Sequence, residues 1–119
     1  MGMNRRAIGK KYEEIATALL EEQGCLILEK NYNNPYGEID IIAQEQDTLV
    51  FVEVKYRSSD SYGDALEAVD RRKQRRICRS ALYYCSKKHG NLEIPCRFDV
   101  IAIYGGNKII HMKDAFEYT

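Results

Sequence analysis

The chain has no tryptophan, only two prolines and three phenylalanines, and nowhere a run of 18 consecutive apolar residues. The missing apolar run excludes a membrane-spanning helix, and no repeat or biased segment marks a low-complexity chain. Cys25, Cys78, Cys85 and Cys96 form neither a CxxC pair nor the Cys/His spacing of a zinc site, so they read as buried reduced thiols. His89 and His111 stand alone and suggest no triad and no metal cluster. The amino end, MGMNRRAIGKKYEE, is basic but is not followed by the apolar stretch of a secretory signal. These absences lead to the expectation of a cytoplasmic protein without membrane partners.

What is present fits one globular domain spanning residues 1–119, large enough to bury a single core without staples. The formal net charge is zero but unevenly spread: eight basic residues and no acidic one lie between Arg71 and Lys88. Charge alone leaves two readings of that stretch, a solvated helix face or a phosphate-binding surface.

Apolar residues Ile8, Tyr12, Ile15, Ala16 and Leu19 recur at helical spacing and predict a helix over about Arg5 to Gln23, stopped by Gly24. On it Glu14 points to solvent, while Glu13 lies on the flank of the apolar stripe. Cys25 to Tyr32, Gly37 to Gln44 and Leu49 to Tyr56 read as strands. After the polar loop Ser58 to Asp64, the pair Asp64 and Glu67 looks like the cap of a helix over about Ala65 to Lys88. Its predicted stripe is Leu66, Ile77, Ala81, Tyr84 and Cys85, with Gln74 on it and Lys73 beside it. Arg72, Arg75 and Arg79 point away. Strands over Arg97 to Tyr104 and Lys108 to Met112, joined at Gly105-Gly106-Asn107, close the chain. The order α-β-β-β-α-β-β predicts an α/β domain, a mixed sheet flanked by helices with an antiparallel hairpin at its centre.

That hairpin carries charge where burial should forbid it: Glu38 and Asp40 in its first strand, Glu53 and Lys55 in its second. A connection over Glu45 to Thr48 makes opposed residue numbers sum to 93, which sets Asp40 across from Glu53 and Glu38 across from Lys55. Directly opposed Cβ atoms lie about 4.5 to 5.5 Å apart. Two carboxylates so placed must share a proton, split their pKa values or hold a cation. A hard ion with oxygen ligands, Mg²⁺ above all, suits such a pair. The alternative is a buried salt-bridge quartet, a poor source of stability, and a one-residue slip would part the two acids. Tyr32, Tyr36, Tyr56 and Tyr62 lie near this hairpin and could stack on unpaired bases, although most of nine tyrosines should be core or rim residues.

Glu38-Ile39-Asp40 followed by Glu53-Val54-Lys55 resembles the core of the PD-(D/E)xK nucleases, the restriction-endonuclease-like fold, with Ile39 where that superfamily usually has proline. Nearly the whole chain resembles the YraN-type family of uncharacterised bacterial proteins, related by fold to archaeal Holliday-junction resolvases. The likeness rests on Gly9, Glu13 and Ala16, Asn31-Tyr32, Gly37-Glu38-Ile39-Asp40, Phe51 to Lys55 with Arg57, Gly63, Lys73, and Arg97-Phe98-Asp99-Val100.

The resemblance implies a Mg²⁺-dependent endonuclease acting on DNA, with Mn²⁺ able to substitute and branched or repair intermediates as substrates. Asp40 and Glu53 would be metal ligands with the Val54 carbonyl, and Lys55 would orient or deprotonate the attacking water. Glu13 would approach the metal, although helical geometry alone leaves it equally a surface acid. Arg57, Lys73 and Gln74 are the expected nucleic-acid contacts, with snorkelling as the alternative for Lys73. Dimeric relatives leave a homodimer open. The rival expectation is an inactive nucleic-acid- or partner-binding module on a nuclease scaffold.

Overall fold

In the computed structural model the described residues are 5–57, 69–90, 93–105 and 108–119, with side chains from Gly9 onward in the first helix. They form helix α1 (Arg5–Glu22), strands β1 (Leu26–Asn34), β2 (Gly37–Glu45) and β3 (Thr48–Arg57), helix α2 (Arg71–His89), and strands β4 (Cys96–Tyr104) and β5 (Lys108–Phe116). This is the expected α-β-β-β-α-β-β order. Among the described residues the sheet has five strands in the order β1-β2-β3-β4-β5. It is mixed: β3 and β4 run parallel, and the other neighbours antiparallel. No helix of the described residues is long and apolar enough to cross a membrane.

Each sheet face carries its own core, as strand alternation requires. Ala16 and Leu20 of α1 cover Ile41, Ala43, Val50, Val52, Ile101 and Ile103. On the other face Ile77, Cys78, Ala81, Tyr84 and Cys85 of α2 cover Ile42, Leu49, Phe51, Phe98 and Val100. Strand β3 is therefore enclosed on both faces, which explains its near-continuous apolar run. Gly24, at φ 92°, ends α1 by turning the chain so that the Cys25 amide donates back to the Leu20 carbonyl at 3.0 Å.

Helix α2 begins later than its sequence suggests. Val69 and Asp70 are not helical, and Asp70 is the N-cap, its carboxylate accepting from the Lys73 amide at 2.9 Å. Val69 is buried in the α2-side core, which anchors the entry to the helix. The predicted cap Asp64 and Glu67, Leu66, the loop Ser58 to Asp64 with Tyr62 and Gly63, the side chain of Ile8, and the Gly106-Asn107 turn lie outside the described residues. Cys25, Cys78 and Cys85 are buried free thiols as expected; Cys96 is exposed at the start of β4, a position that the strand pattern does not reveal.

Away from the charged hairpin, a second buried polar group ties the sheet together. Asp99 of β4 is fully buried and accepts from Arg97 Nε at 3.1 Å and from the Asp114 amide at 2.9 Å. His111 Nε2 lies 2.8 Å from its other oxygen, and Arg97 reaches on to Glu45 at 2.7 Å. Gln23 Nε2 is 3.2 Å from His111 Nδ1, so the network links the end of α1 to β2, β4 and β5.

Candidate functional site

The predicted register holds where the hairpin is a ladder. Glu45↔Thr48, Gln44↔Leu49, Ala43↔Val50, Ile42↔Phe51 and Ile41↔Val52 all pair as expected. The ladder stops there, and Asp40 and Glu53 are not direct cross-strand partners. Strand β2 stays with β1 down to Gly37↔Asn34, while β3 stays with β4 out to Arg57↔Tyr104. The sheet thus forks between β2 and β3.

At the fork β2 also changes sides. Ile41 and Ala43 belong to the α1 core, but Ile39 belongs to the α2 core with Ile42, which breaks strict alternation at Asp40. The Asp40 carboxylate takes the place of a ladder carbonyl, accepting from the Val54 amide at 2.8 Å. A buried N–H at a strand split needs an acceptor, and here an ionisable one supplies it.

Both layers reach the fork. From α1, Glu13 brings a carboxylate oxygen within 4.8 Å of oxygens of Glu38 and Asp40, which are likewise that close to each other. From α2, Lys73 pairs with Glu53, whose side chain is only 4% exposed, and Lys55 lies 3.5 Å from the same Glu53 oxygen. Gly37, Glu38, Asp40, Glu53, Lys73, Arg76 and Ile77 line a cavity of about 230 Å³. Its charged lining is three acids, Glu38, Asp40 and Glu53, and two cations, Lys73 and Arg76.

Charge crowding shows in the titration of these groups. Burial, then the Glu53 charge, pushes Asp40 up to about 8 against the pull of the Val54 amide. Burial likewise raises Glu13, although a hydrogen bond from Asn31 opposes it. Lys55 is lowered by burial and by Lys73 beside it. Burial is the largest single influence on Lys73 and lowers it, but the bond to Glu53, the contact with Lys55 and the Glu53 and Asp40 charges together outweigh it and hold Lys73 above the ordinary lysine value. The lysine best able to give up a proton is therefore the one on the acid strand.

Because the folded protein holds the Asp40 proton up to about pH 8 and the unfolded chain releases it near pH 4, that proton favours the folded state at low pH. The contribution is complete below about pH 4 and disappears as pH rises through about 8. Melting of the chelated protein from pH 5 to 9 should show stability falling toward the alkaline end. Asp40→Asn should flatten that slope; an unchanged slope would mean that another group carries it.

The site gathers Asp40, Glu53, Lys55, Glu13 and Lys73. The other two predicted contacts lie apart from it. Arg57 is exposed at the end of β3 and does not line the cavity. The Gln74 amide donates to the Val69 carbonyl at 2.9 Å, fixing the helix start. Arg76 was not anticipated; its position three residues after Lys73, one turn along the same helix face, is the available signal. Glu38, read in the sequence only as a salt-bridge partner, joins the acidic cluster because the side change at Ile39 turns its neighbour toward α1. Of the four tyrosines, Tyr32 meets Tyr84 edge-on in the core, and Tyr56 stacks on Tyr12 at 4.2 Å.

Residues 12–103 match the model of an uncharacterised protein family, UPF0102. A UPF0102 protein of Syntrophus aciditrophicus is 49% identical over 112 residues, covering 92% of this chain and 87% of the relative. One of Nitrosomonas europaea is 43% identical over 111 residues, covering 92% of each. Among solved structures, Pyrococcus furiosus SfsA in complex with Ca²⁺ is similar at 16% identity and a TM-score of 0.40. That match covers 92% of this chain, which spans 64% of the length of the other.

Proposed function

We propose that this chain, which belongs to the uncharacterised protein family UPF0102, is a Mg²⁺-dependent endonuclease that hydrolyses phosphodiester bonds in DNA, with branched recombination and repair intermediates as its substrate class. The observation that carries this reading is the fork between β2 and β3, where Asp40, Glu53 and Lys73 line one small cavity and Lys55 pairs with the Glu53 carboxylate. Structural ion pairs have no need of so many acids at a strand split, since each buried charge carries a desolvation cost.

The donor set suits a hard cation. Carboxylate oxygens of Glu13, Glu38 and Asp40 lie within 4.8 Å of one another, a span that an ion with ligand distances of about 2.0 to 2.6 Å bridges with little adjustment. Asp40 would hold it with Glu13 and Glu38 alongside, and Glu53, which neighbours Asp40, would join as a ligand once Lys73 leaves it. When bound, Mg²⁺ supplies charge neutralisation at the phosphate and a more acidic water.

The chain's own residues supply the rest. Lys73 and Arg76 bind phosphate oxygens, Lys73 moving from Glu53 to the substrate. Lys55, the ammonium partner of Glu53, orients the attacking water and stabilises charge on the phosphate as the water oxygen bonds to phosphorus and one ester P–O bond breaks, the water's proton passing to the departing oxygen through solvent.

Incubation of the purified protein with single-stranded, duplex, flap and four-way DNA tests the proposal. Nicking is expected with Mg²⁺ or Mn²⁺ and absent with chelator, strongest on branched substrates. No cleavage of any substrate in either metal overturns it. The Lys73–Glu53 pair, which neutralises Glu53 by itself, favours a second reading as a non-catalytic DNA-binding module. That reading requires binding of branched DNA that is salt-dependent yet indifferent to chelator and to Lys55→Ala.

A further inference from the structure

We infer that a second cleft, beside the acid–lysine cavity, is a stacking subsite for an unpaired base of the bound DNA strand. This rests on the nuclease reading and names the form of DNA that the site takes. The cleft, of about 450 Å³, is lined by Tyr36, Arg79, Leu82, Tyr83, Ser86 and Tyr118. Its size falls within the range of about 300 to 1,000 Å³ typical of sites for small ligands.

Two elements border both cavities. On α2, Lys73 and Arg76 line the first, and Arg79, Tyr83 and Ser86 continue the same face at three- and four-residue spacing into the second. Arg76 and Arg79 are one turn apart, about 4.5 Å along the helix axis. Where β1 turns into β2, Tyr36 borders the second cleft, and Gly37 and Glu38, the first residues of β2, border the first. A strand whose phosphate lies at Lys73 and Arg76 therefore carries its neighbouring nucleotide over Arg79 and the tyrosines.

The cleft is built for a flat ring bearing negative charge. Tyr36 is 48% exposed and Tyr118 58%, although large aromatic surfaces are normally covered. Arg79 supplies a cation, no lining residue is acidic, and α2 carries no acid anywhere. That composition suits a nucleotide and opposes a basic partner. The platform is also held in place: Asn34 Oδ1 accepts from the Tyr36 amide at 2.9 Å and from the Ser80 hydroxyl of α2 at 3.0 Å. Tyr83 meets Tyr36 at 66° with ring centroids 6.2 Å apart, and Lys87 Nζ lies 5.6 Å from the Tyr83 ring centre. The rings of Tyr36 and Tyr118 are thus the platforms for an incoming base.

Fluorescence anisotropy with labelled single-stranded DNA and a blunt duplex of equal length, in chelator and with the full chain, tests the inference without any cleavage. Tyr36→Ala and Tyr118→Ala should each weaken single-strand binding about tenfold, the loss of one stacked base. Duplex binding should change less than about twofold, and Tyr36→Trp should retain full affinity. If Tyr36→Ala lowers the melting temperature, Tyr118→Ala decides alone, because its side chain is mostly in solvent. Single-strand binding indifferent to both substitutions, or equal losses on the duplex, overturns the subsite. A protein that cuts DNA but shows no tyrosine dependence loses this inference alone. One that binds through the tyrosines yet never cuts keeps it and loses the catalytic reading.

Discussion

Asp40→Asn and Glu53→Gln are each expected to lower the rate of metal-dependent cleavage by about 10³-fold or more, because each removes a charge that would hold the cation at the scissile phosphate. The two should differ in stability. At Asp40 the amide oxygen of Asn still accepts the Val54 N–H, and the substitution removes a carboxylate that burial and Glu53 already disfavour. Asp40→Asn should therefore melt at or above the wild-type temperature, most clearly near pH 8 and above. Glu53 is the counter-ion of both Lys73 and Lys55 and is almost fully buried. Glu53→Gln leaves two neighbouring ammonium groups without it and should cost about 1 to 3 kcal/mol in stability. Cleavage assays with saturating Mn²⁺, paired with thermal melts, check both halves. An Asp40→Asn protein that still cuts at wild-type rate would remove Asp40 from the metal site; a Glu53→Gln protein as stable as wild type would mean that the lysines relax into solvent.

The largest stability loss should come from a residue distant from this chemistry. Asp99→Ala is expected to destabilise by about 3 to 5 kcal/mol, the usual cost of removing one partner from a buried charge cluster. It would strip Arg97, His111 and the Asp114 amide of their common acceptor. Against a typical total stability of about 5 to 15 kcal/mol, that threatens folding itself; Asp99→Asn, which keeps an acceptor for the Asp114 amide, should be milder. The pH dependence runs opposite to that of Asp40. Burial would raise Asp99, but hydrogen bonds from His111, Asp114 and Arg97 outweigh it and hold the carboxyl below its ordinary value. Its contribution is full above the unfolded value near pH 4 and is lost as pH falls through the lower folded value. Acid titration followed by circular dichroism should show an unfolding limb that Asp99→Asn moves to higher pH. A limb that stays in place would assign acid sensitivity to other carboxylates.

The two carboxylates differ because of where their partners come from. Asp40 stands among acids gathered from three elements, with one amide to offset them, so its proton is retained. Asp99 stands among donors from β4 and β5 alone, so its charge is. Local sequence around each, Glu-Ile-Asp-Ile and Arg-Phe-Asp-Val, is an acid between apolar residues in both cases and does not distinguish them.

Periodicity determined what depends on nearest neighbours along the chain. Alternation placed the strand ends within four residues of those observed, the helical stripes identified Ala16, Ile77, Ala81, Tyr84 and Cys85 as core, and the connection length set the ladder from Glu45 to Ile41. The acids and lysines of the hairpin were legible because charge inside an apolar strand is conspicuous. Tertiary structure decided what happens past Ile41. No local pattern announces that β2 follows β1 while β3 follows β4, because that fork arises from competition between pairings with strands far apart in sequence. From the fork follow the turn of Ile39 to the other core and the entry of Glu13 from one layer and Arg76 from the other; Gln74 is instead held to Val69 by a local bond at the start of α2. Hydrophobic alternation fixes which residues are buried; the meeting of charged side chains from separate layers depends on the path of the backbone between them.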